Sequence, residues 1–478
     1  MSTNRTRDAF VLGIWLFLSL TAAEAGTVVW RYKSRAKDTS MRSRPVILPD
    51  ESVLFGNGDG KVTRLRAGGS ETEWLVGLDG AIRGDLQMLD DTFVVATTLK
   101  GTVNVLNVAL GALRWRFTHP SGGWVFSPLV SRFDASSGLP VSDNDKPSIV
   151  VGLRTNTVIA LDGGSGKKLF AIEDLGAGVW ASPTLIDGKQ LVFGVTAEAT
   201  IHSRSFKDGT FKKDWVHDLA PTAKHWKQRL KCWVFPQPVY HAATNSVVFG
   251  AADGILRSVD TKEGTLLWDI KLREGAIGAT AGFVLGKSVA VVVTEKAMLC
   301  AVLVSSNTTP FKPTCTQVSG PSKTAPGAPI EFQDNKVVVA AAGSMVVYEF
   351  RRRPDHSVAI KLVDSTTLAG CDPQSTADIR SPLAVVGCAN GDVMAVRIDL
   401  TTASLITSNP EDRNANAVSS VLPTTVATEP RGITRGVGTP RPASAAVGTE
   451  GAAADLAVPV LVFLLSVTAA LVWRRRKR

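Results

Sequence analysis

Catalytic equipment is what this chain has least of. Its six histidines (His119, His202, His217, His225, His241 and His356) show no spacing suited to holding a metal. Neither a Gly-x-Ser-x-Gly elbow nor a phosphate-binding loop occurs, which removes the commonest hydrolase and nucleotide-binding signatures. The five cysteines include no adjacent pair and no Cys-x-x-Cys-His, so attachment of haem through that motif is excluded. Charge is sparse too, at 20% of residues, and five of the ten net positive charges sit in the last five positions. The region up to residue 402 keeps about +6, well short of a nucleic-acid-binding balance. On this reading there is no catalytic residue, no cofactor site and no metal site.

What the chain does have is a returning ring. Trp30, Trp74, Trp115, Phe170, Trp215 and Trp268 follow one another at separations of 44, 41, 55, 45 and 53 residues. A period in this range marks a propeller or a stacked array. Each ring closes the same pattern, best seen in Val158-Ile-Ala-Leu-Asp162-Gly-Gly-Ser-Gly166-Lys-Lys-Leu-Phe170 and again in Arg257-Ser-Val-Asp260-Thr-Lys-Glu-Gly264-Thr-Leu-Leu-Trp268. An alternating strand enters a turn where Asp bonds its own backbone and Gly takes positive φ, and a second strand ends on the ring. Upstream hairpin signals recur at Gly56-Asn-Gly-Asp-Gly60, Ala251-Ala-Asp-Gly254 and Ala389-Asn-Gly-Asp392. Further upstream, Trp124-Val-Phe-Ser-Pro128, Trp180-Ala-Ser-Pro183 and Trp233-Val-Phe-Pro-Gln-Pro238 read as innermost strands entering near an axis. Four strands per repeat make a propeller blade.

The Ala-x-Asp-x-x-Ser/Thr-Gly-Lys-x-x-aromatic pattern resembles the repeat of pyrroloquinoline-quinone (PQQ)-type propellers. That superfamily holds quinoprotein alcohol dehydrogenases, the propeller lipoprotein of bacterial outer-membrane assembly, and luminal propellers of endoplasmic-reticulum membrane proteins. The resemblance covers about residues 26–402 and implies an all-β, eight-bladed PQQ-like propeller, while fold alone does not fix activity. The dehydrogenases clamp their quinone under a disulfide between adjacent cysteines, a feature missing here.

Closing positions near Cys315 and Leu362 continue the spacing after Trp268. The last hairpin, Leu383 to Asp399, lacks an outer strand, and Thr27-Val-Val-Trp30-Arg-Tyr32 is an outer strand without a blade. Joining the two closes the ring at eight blades and removes open edges, with seven as the alternative count.

Outside the propeller the reading is one of address. Arg5 and Arg7 precede an apolar run, Ala9 to Ala22, and the small-residue site Ala23-Glu24-Ala25, so residues 1–25 are expected to be a signal peptide. Residues 403–455, rich in Ala, Thr, Ser, Val, Pro and Gly, are expected to form a disordered stalk. Leu456 to Trp473 is an 18-residue run without charge, about 27 Å as a helix, which is enough to span a thin bilayer. The basic residues 474–478 would remain cytosolic. These features predict a type I single-pass protein of a secretory-pathway membrane, with the endoplasmic reticulum favoured and the cell surface possible.

An oxidising compartment makes the cysteines informative. Cys300 and Cys315 flank a hairpin tip and would face each other across two strands, Cys371 and Cys388 form a second candidate pair, and Cys232 is left over. Asn307-Thr-Thr is a glycosylation sequon at the tip between Cys300 and Cys315. Asp143-Asn-Asp145 begins like a calcium loop but lacks the later ligands, and is read as a solvated loop. One insertion stands apart, at residues 221–231 between the fourth and fifth blades. It carries Lys224, Trp226, Lys227, Arg229 and Lys231, a cationic arm with an aromatic anchor suited to an acidic partner. The expected function is a binding or assembly scaffold for protein partners on the luminal or extracellular side, joined to the membrane by the carboxy-terminal helix and without nucleic acid. A membrane-tethered quinone-dependent oxidoreductase is the alternative.

Overall fold

The computed structural model describes residues 26–398, apart from 35–39, 124, 126, 134–145, 208–209, 223–225, 273–274, 305–311, 319–325 and 334. The expected signal peptide, stalk, membrane helix and basic tail lie outside these residues, as do Lys224, Asn307 and the loop holding Asp143 and Asp145. Among the described residues no helix is long and apolar enough to cross a membrane.

Among the described residues, thirty-two strands form eight four-stranded antiparallel sheets. Seven sheets are built from consecutive strands, such as Ser148–Leu153 and Thr157–Asp162 at the middle of the third blade. The eighth pairs the last three strands, Asp378–Arg380, Leu383–Gly387 and Asp392–Arg397, with the first, Thr27–Lys33. The register runs from Thr27 opposite Arg397 to Lys33 opposite Asp392. The expected closure at eight blades is therefore present.

Strand position within a blade explains its sequence. The two middle strands are covered on both faces by neighbouring blades, so Ser148–Leu153, Thr157–Asp162 and Val289–Val293 are buried throughout. Continuous apolar runs are the expected signature of that environment. The outermost strands Thr72–Gly77 and Leu113–Thr118 alternate between exposed and half-buried. The buried side chains fall into eight clusters, one at each junction of adjacent blades. Val53 and Val385 belong to the cluster between the eighth and first, and Val95 and Ile149 to that between the second and third.

The recurring rings staple those junctions. Trp30, Trp74, Trp115 and Trp215 each lie against a glycine in the outer turn of the next blade: Gly69, Gly111, Gly166 and Gly264. These glycines have φ between 68° and 75°, and a Cβ on any of them would sit 2.1–2.7 Å from the indole. Both requirements select glycine. Three of the indoles also donate to a carbonyl of that turn: Trp74 Nε1 to Val108 O at 2.9 Å, Trp115 to Gly163 O at 3.1 Å and Trp215 to Thr261 O at 2.8 Å. A bulge of one residue beside each ring, as between Ser203 and Arg204 opposite Trp215, turns it toward the neighbour.

Two blades use other devices. In the sixth, Cys300 and Cys315 are direct cross-strand partners joined by a disulfide, and that outer pair has no bulge. In the seventh, the bulge places Asp364 rather than Leu362 at the position equivalent to the rings. Its carboxylate accepts the Gly26 N–H at 3.1–3.2 Å, a polar staple to the eighth blade. At the seam Arg31 donates to Asp392 at 2.6 Å and to Ala369 O at 2.9 Å. The Cys371–Cys388 disulfide fixes the loop bearing that carbonyl.

Trp215 tests the staple. Trp215→Ala is expected to cost about 3–5 kcal/mol in a urea titration followed by circular dichroism. Trp215→Phe keeps most of the packing, and Thr261 O still accepts from Gln190 Nε2 at 2.8 Å, so its expected cost stays near ~1 kcal/mol.

Candidate functional site: the axial funnel and its aromatic rim

Each connection from an outer strand back to the next inner strand must reach the axis. Several arrive as X-Pro: Arg44-Pro45, Ser127-Pro128, Ser182-Pro183, Gln237-Pro238 and Ala328-Pro329. Proline holds the preceding residue extended, so its side chain is delivered at a fixed place. Asp85, Thr280 and Thr376 occupy the same place in the three remaining blades. All eight line one funnel of about 410 Å³.

Seven of the eight are polar, and they bond from blade to blade. The backbone N–H of one donates to the side-chain oxygen of the next: Arg44 to Asp85 at 2.9 Å, Asp85 to Ser127 at 2.9 Å, Gln237 to Thr280 at 3.3 Å and Ala328 to Thr376 at 3.0 Å. Ser182 Oγ donates to Ser127 O at 2.7 Å and Gln237 Nε2 to Pro183 O at 3.0 Å. Arg44 reaches back to Asp378 of the eighth blade. Between the sixth and seventh blades close packing takes over, with Gly282 set against Pro329. Asp85 is the one carboxylate lining the funnel among the described residues. Enclosure by the walls pushes its carboxyl above the usual carboxylate range, against the Arg44 N–H and charge.

The funnel mouth at the fourth and fifth blades is aromatic. Trp180, Trp233 and Phe235 have ring centroids 5.3–5.9 Å apart, and Arg154 lies 5.8 Å over Trp180. Phe235 is 39% exposed and is the most open of the three rings. The segments read as entering near the axis supply these rings.

The cationic insertion leads directly into that rim. It holds a short helix, Trp226–Arg229, and a 3-10 turn, Leu230–Cys232. Arg229 is an anchor: it donates twice to Asp218, at 3.0 and 2.9 Å, and to Glu198 O at 2.6 Å. Burial works against the Asp218 charge, yet the Arg229 bonds hold its carboxyl below the usual range. Lys231 is exposed, while the side chains of Trp226 and Lys227 lie outside the described residues. Cys232 is half-buried and free, its thiol pushed up by burial and by Asp253. The girdle itself was missed by sequence reading. Its only signal is a proline directly before five of the eight inner strands, since the residue ahead of it varies from blade to blade.

General acid–base chemistry finds no support in the fourth-blade histidines. His202 is 6% exposed and stacked on Phe193. Burial, with help from Arg204 and Lys213, lowers its pKa to about 4. His217 is lowered too, mainly by burial. Among the described residues no three His, Cys, Asp or Glu side chains come together as a metal site. With Asp85 the only carboxylate on the funnel wall among the described residues, the donors there do not suit a calcium ion held beside a quinone.

A profile of the family described as outer membrane protein assembly factor BamB matches residues 18–123 and 99–314. The chain belongs to the BamB family. Among solved structures, BamB from Moraxella catarrhalis superimposes with a TM-score of 0.56 at 14% identity, covering 78% of this chain and 99% of that one. The computationally designed Ika8 protein gives 0.56 at 17%, covering 75% and 97%. At these identities the likeness is one of fold. No curated protein matches the chain. The family match stops at 314, near the sixth-blade disulfide, beyond which the tryptophan staple is replaced.

His202 makes fold stability depend on pH. Its folded pKa of about 4 lies below the unfolded value of about 6.5, so the unfolded chain binds more protons between the two. Stability is expected to be full above about pH 6.5 and to fall by about 3 kcal/mol as the pH drops toward 4. In denaturant titrations across that window His202→Phe should flatten most of the slope.

Proposed function

We propose that this protein is a non-enzymatic scaffold that binds protein partners through the funnel face. It is held in a secretory-pathway membrane, with the endoplasmic reticulum favoured, as a type I single-pass protein whose propeller lies on the luminal or extracellular side. The aromatic rim of Trp180, Trp233 and Phe235 carries the reading. It is an exposed apolar anchor, backed by Arg154, on a ring that every blade helps to hold in place. Interfaces concentrate their binding energy in such aromatic and arginine anchors. Membership in a family described as an assembly factor supports the same class of role. The membrane part rests on the charge-free run from Leu456 to Trp473 and the basic pentad after it.

Proximity labelling from the propeller in intact cells, followed by quantitative recovery of labelled partners, provides the test. Phe235→Ser combined with Arg154→Glu is expected to lower recovery about tenfold or more without unfolding the ring. Charge reversal at Lys224, Lys227 and Lys231 should lower it further. Arg229 is left intact in that series because it fixes the insertion to Asp218. Unchanged recovery in both variants rejects the funnel face as the contact. A bound quinone chromophore with dye-linked alcohol oxidation rejects the scaffold reading itself.

A further inference from the structure

Antiparallel connectivity divides the loops between two faces. Connections between blades and the turns joining the two middle strands share the funnel face. The outer turns lie opposite, where the hairpins lengthened to Lys207–Thr210 and Arg352–Val358 mix both signs of charge. On the funnel face a cleft of about 520 Å³ opens between the seventh and eighth blades and shares no lining residue with the funnel. Its walls are small and mainly apolar, with Ala342, Gly343, Ala369, Gly370 and Ala389. Asp372 is the one charged residue lining it among the described residues.

The cleft is held in shape from below and from the sides. Leu368, Cys371 and Cys388 belong to the buried cluster between the two blades, and the Cys371–Cys388 disulfide ties the connecting segment to the middle turn of the eighth blade. Leu368 N donates to Gly343 O at 2.8 Å, and Asn390 Nδ2 to Gly370 O at 2.9 Å.

Nothing in the fold asks for an acid at 372. The backbone carbonyl there accepts the N–H of Ala389, from the middle turn of its own blade, at 2.9 Å. The same bond, at 2.9–3.1 Å, ends on Ser40, Ala81, Gly178, Trp233 and Ala276 in five other blades. Each of those residues stands four positions before its girdle residue, as Asp372 does before Thr376. None is charged. The structural role belongs to the carbonyl, and the carboxylate is an addition to it.

That carboxylate is also unanswered. Asp372 is half-buried, its Oδ1 is buried without a hydrogen-bond donor, and among the described residues no cation pairs with it. Arg31, which borders Gly370, is engaged by Asp392, Ala369 O and Gly370 O. Two residues on, Gln374 Oε1 likewise has no donor. Acceptors enclosed without donors are costly, and a cation entering from outside removes the cost.

We propose that this cleft receives a lysine or arginine side chain of the protein partner. The alkyl stem lies along the alanines and glycines, and the charged head meets Asp372. A neutral or acidic side chain would fill the same space and leave the carboxylate unanswered. The inference rests on the funnel face being the contact surface and names one feature of the partner that it selects.

Saturation-transfer NMR on the full-length protein in detergent provides the test, with capped glycine pentapeptides carrying lysine, arginine, norleucine or glutamate at the centre. The two cationic peptides are expected to bind, with norleucine and glutamate weaker by about tenfold or more. Asp372→Asn should weaken the cationic peptides about 10- to 100-fold and leave norleucine unchanged. Folding of this variant, checked by circular dichroism, is expected to be intact, since other blades place Ala or Ser at the same position. Equal binding of norleucine and lysine overturns the proposal, as does lysine binding indifferent to Asp372→Asn. If either occurs while Phe235→Ser with Arg154→Glu still lowers partner recovery, the cleft is rejected and the funnel face stands. Unchanged recovery in the rim variants as well removes both.

Discussion

An aromatic ring pressed against a glycine of the next blade is the contact on which this architecture depends. A propeller has no single interior; its apolar side chains are divided among eight wedges, and each wedge exists only if two sheets stay in register. The ring supplies area, and the indole N–H supplies direction by reaching a turn carbonyl across the junction. The glycine permits the approach that a Cβ would block at under 3 Å. Because the wedges narrow inward, the axis cannot be filled by the same means. It is closed instead by short polar side chains accepting from neighbouring backbones, which leaves a polar-walled funnel.

That division of labour decides what the sequence discloses. The staple uses a large aromatic ring at a near-constant interval, so Trp30 through Trp268 could be read as outer strands with no structure in hand. The cysteine pairs were legible for a related reason: Cys300 and Cys315 flank a hairpin, and a ladder places such residues opposite each other. Leu362 shows the limit. The spacing pointed near it, but a bulge moved the equivalent position to Asp364, whose carboxylate does the stapling by hydrogen bond. The girdle was opaque because Arg44, Asp85, Ser127 and Thr280 have nothing in common except their distance from an inner strand. Arg229 looked like a free cation in a basic arm; only Asp218, from the preceding outer strand, reveals it as an anchor.

The two faces consequently differ in chemistry. One concentrates backbone turns, a polar funnel and exposed rings around an axis where all blades meet. The other spreads charge on projecting hairpins at the periphery. Membership of the BamB family accounts for the ring itself. The insertion and the lengthened hairpins lie in loops, which are free to change, whereas the disulfides reach into the wedges between the fifth and sixth and the seventh and eighth blades.

The seam between Thr27–Lys33 and Asp392–Arg397 has a consequence for biogenesis. Contacting residues there are 359–370 positions apart, and closing so long a loop costs about 5 kcal/mol of chain entropy. During vectorial synthesis the first strand emerges early and must wait, edge exposed, until the final hairpin has left the ribosome. In a crowded compartment the vacant slot on Asp392–Arg397 accepts the corresponding strand of a second nascent chain equally well. Strand-exchanged dimers are thus the misassembly to which this architecture is most prone.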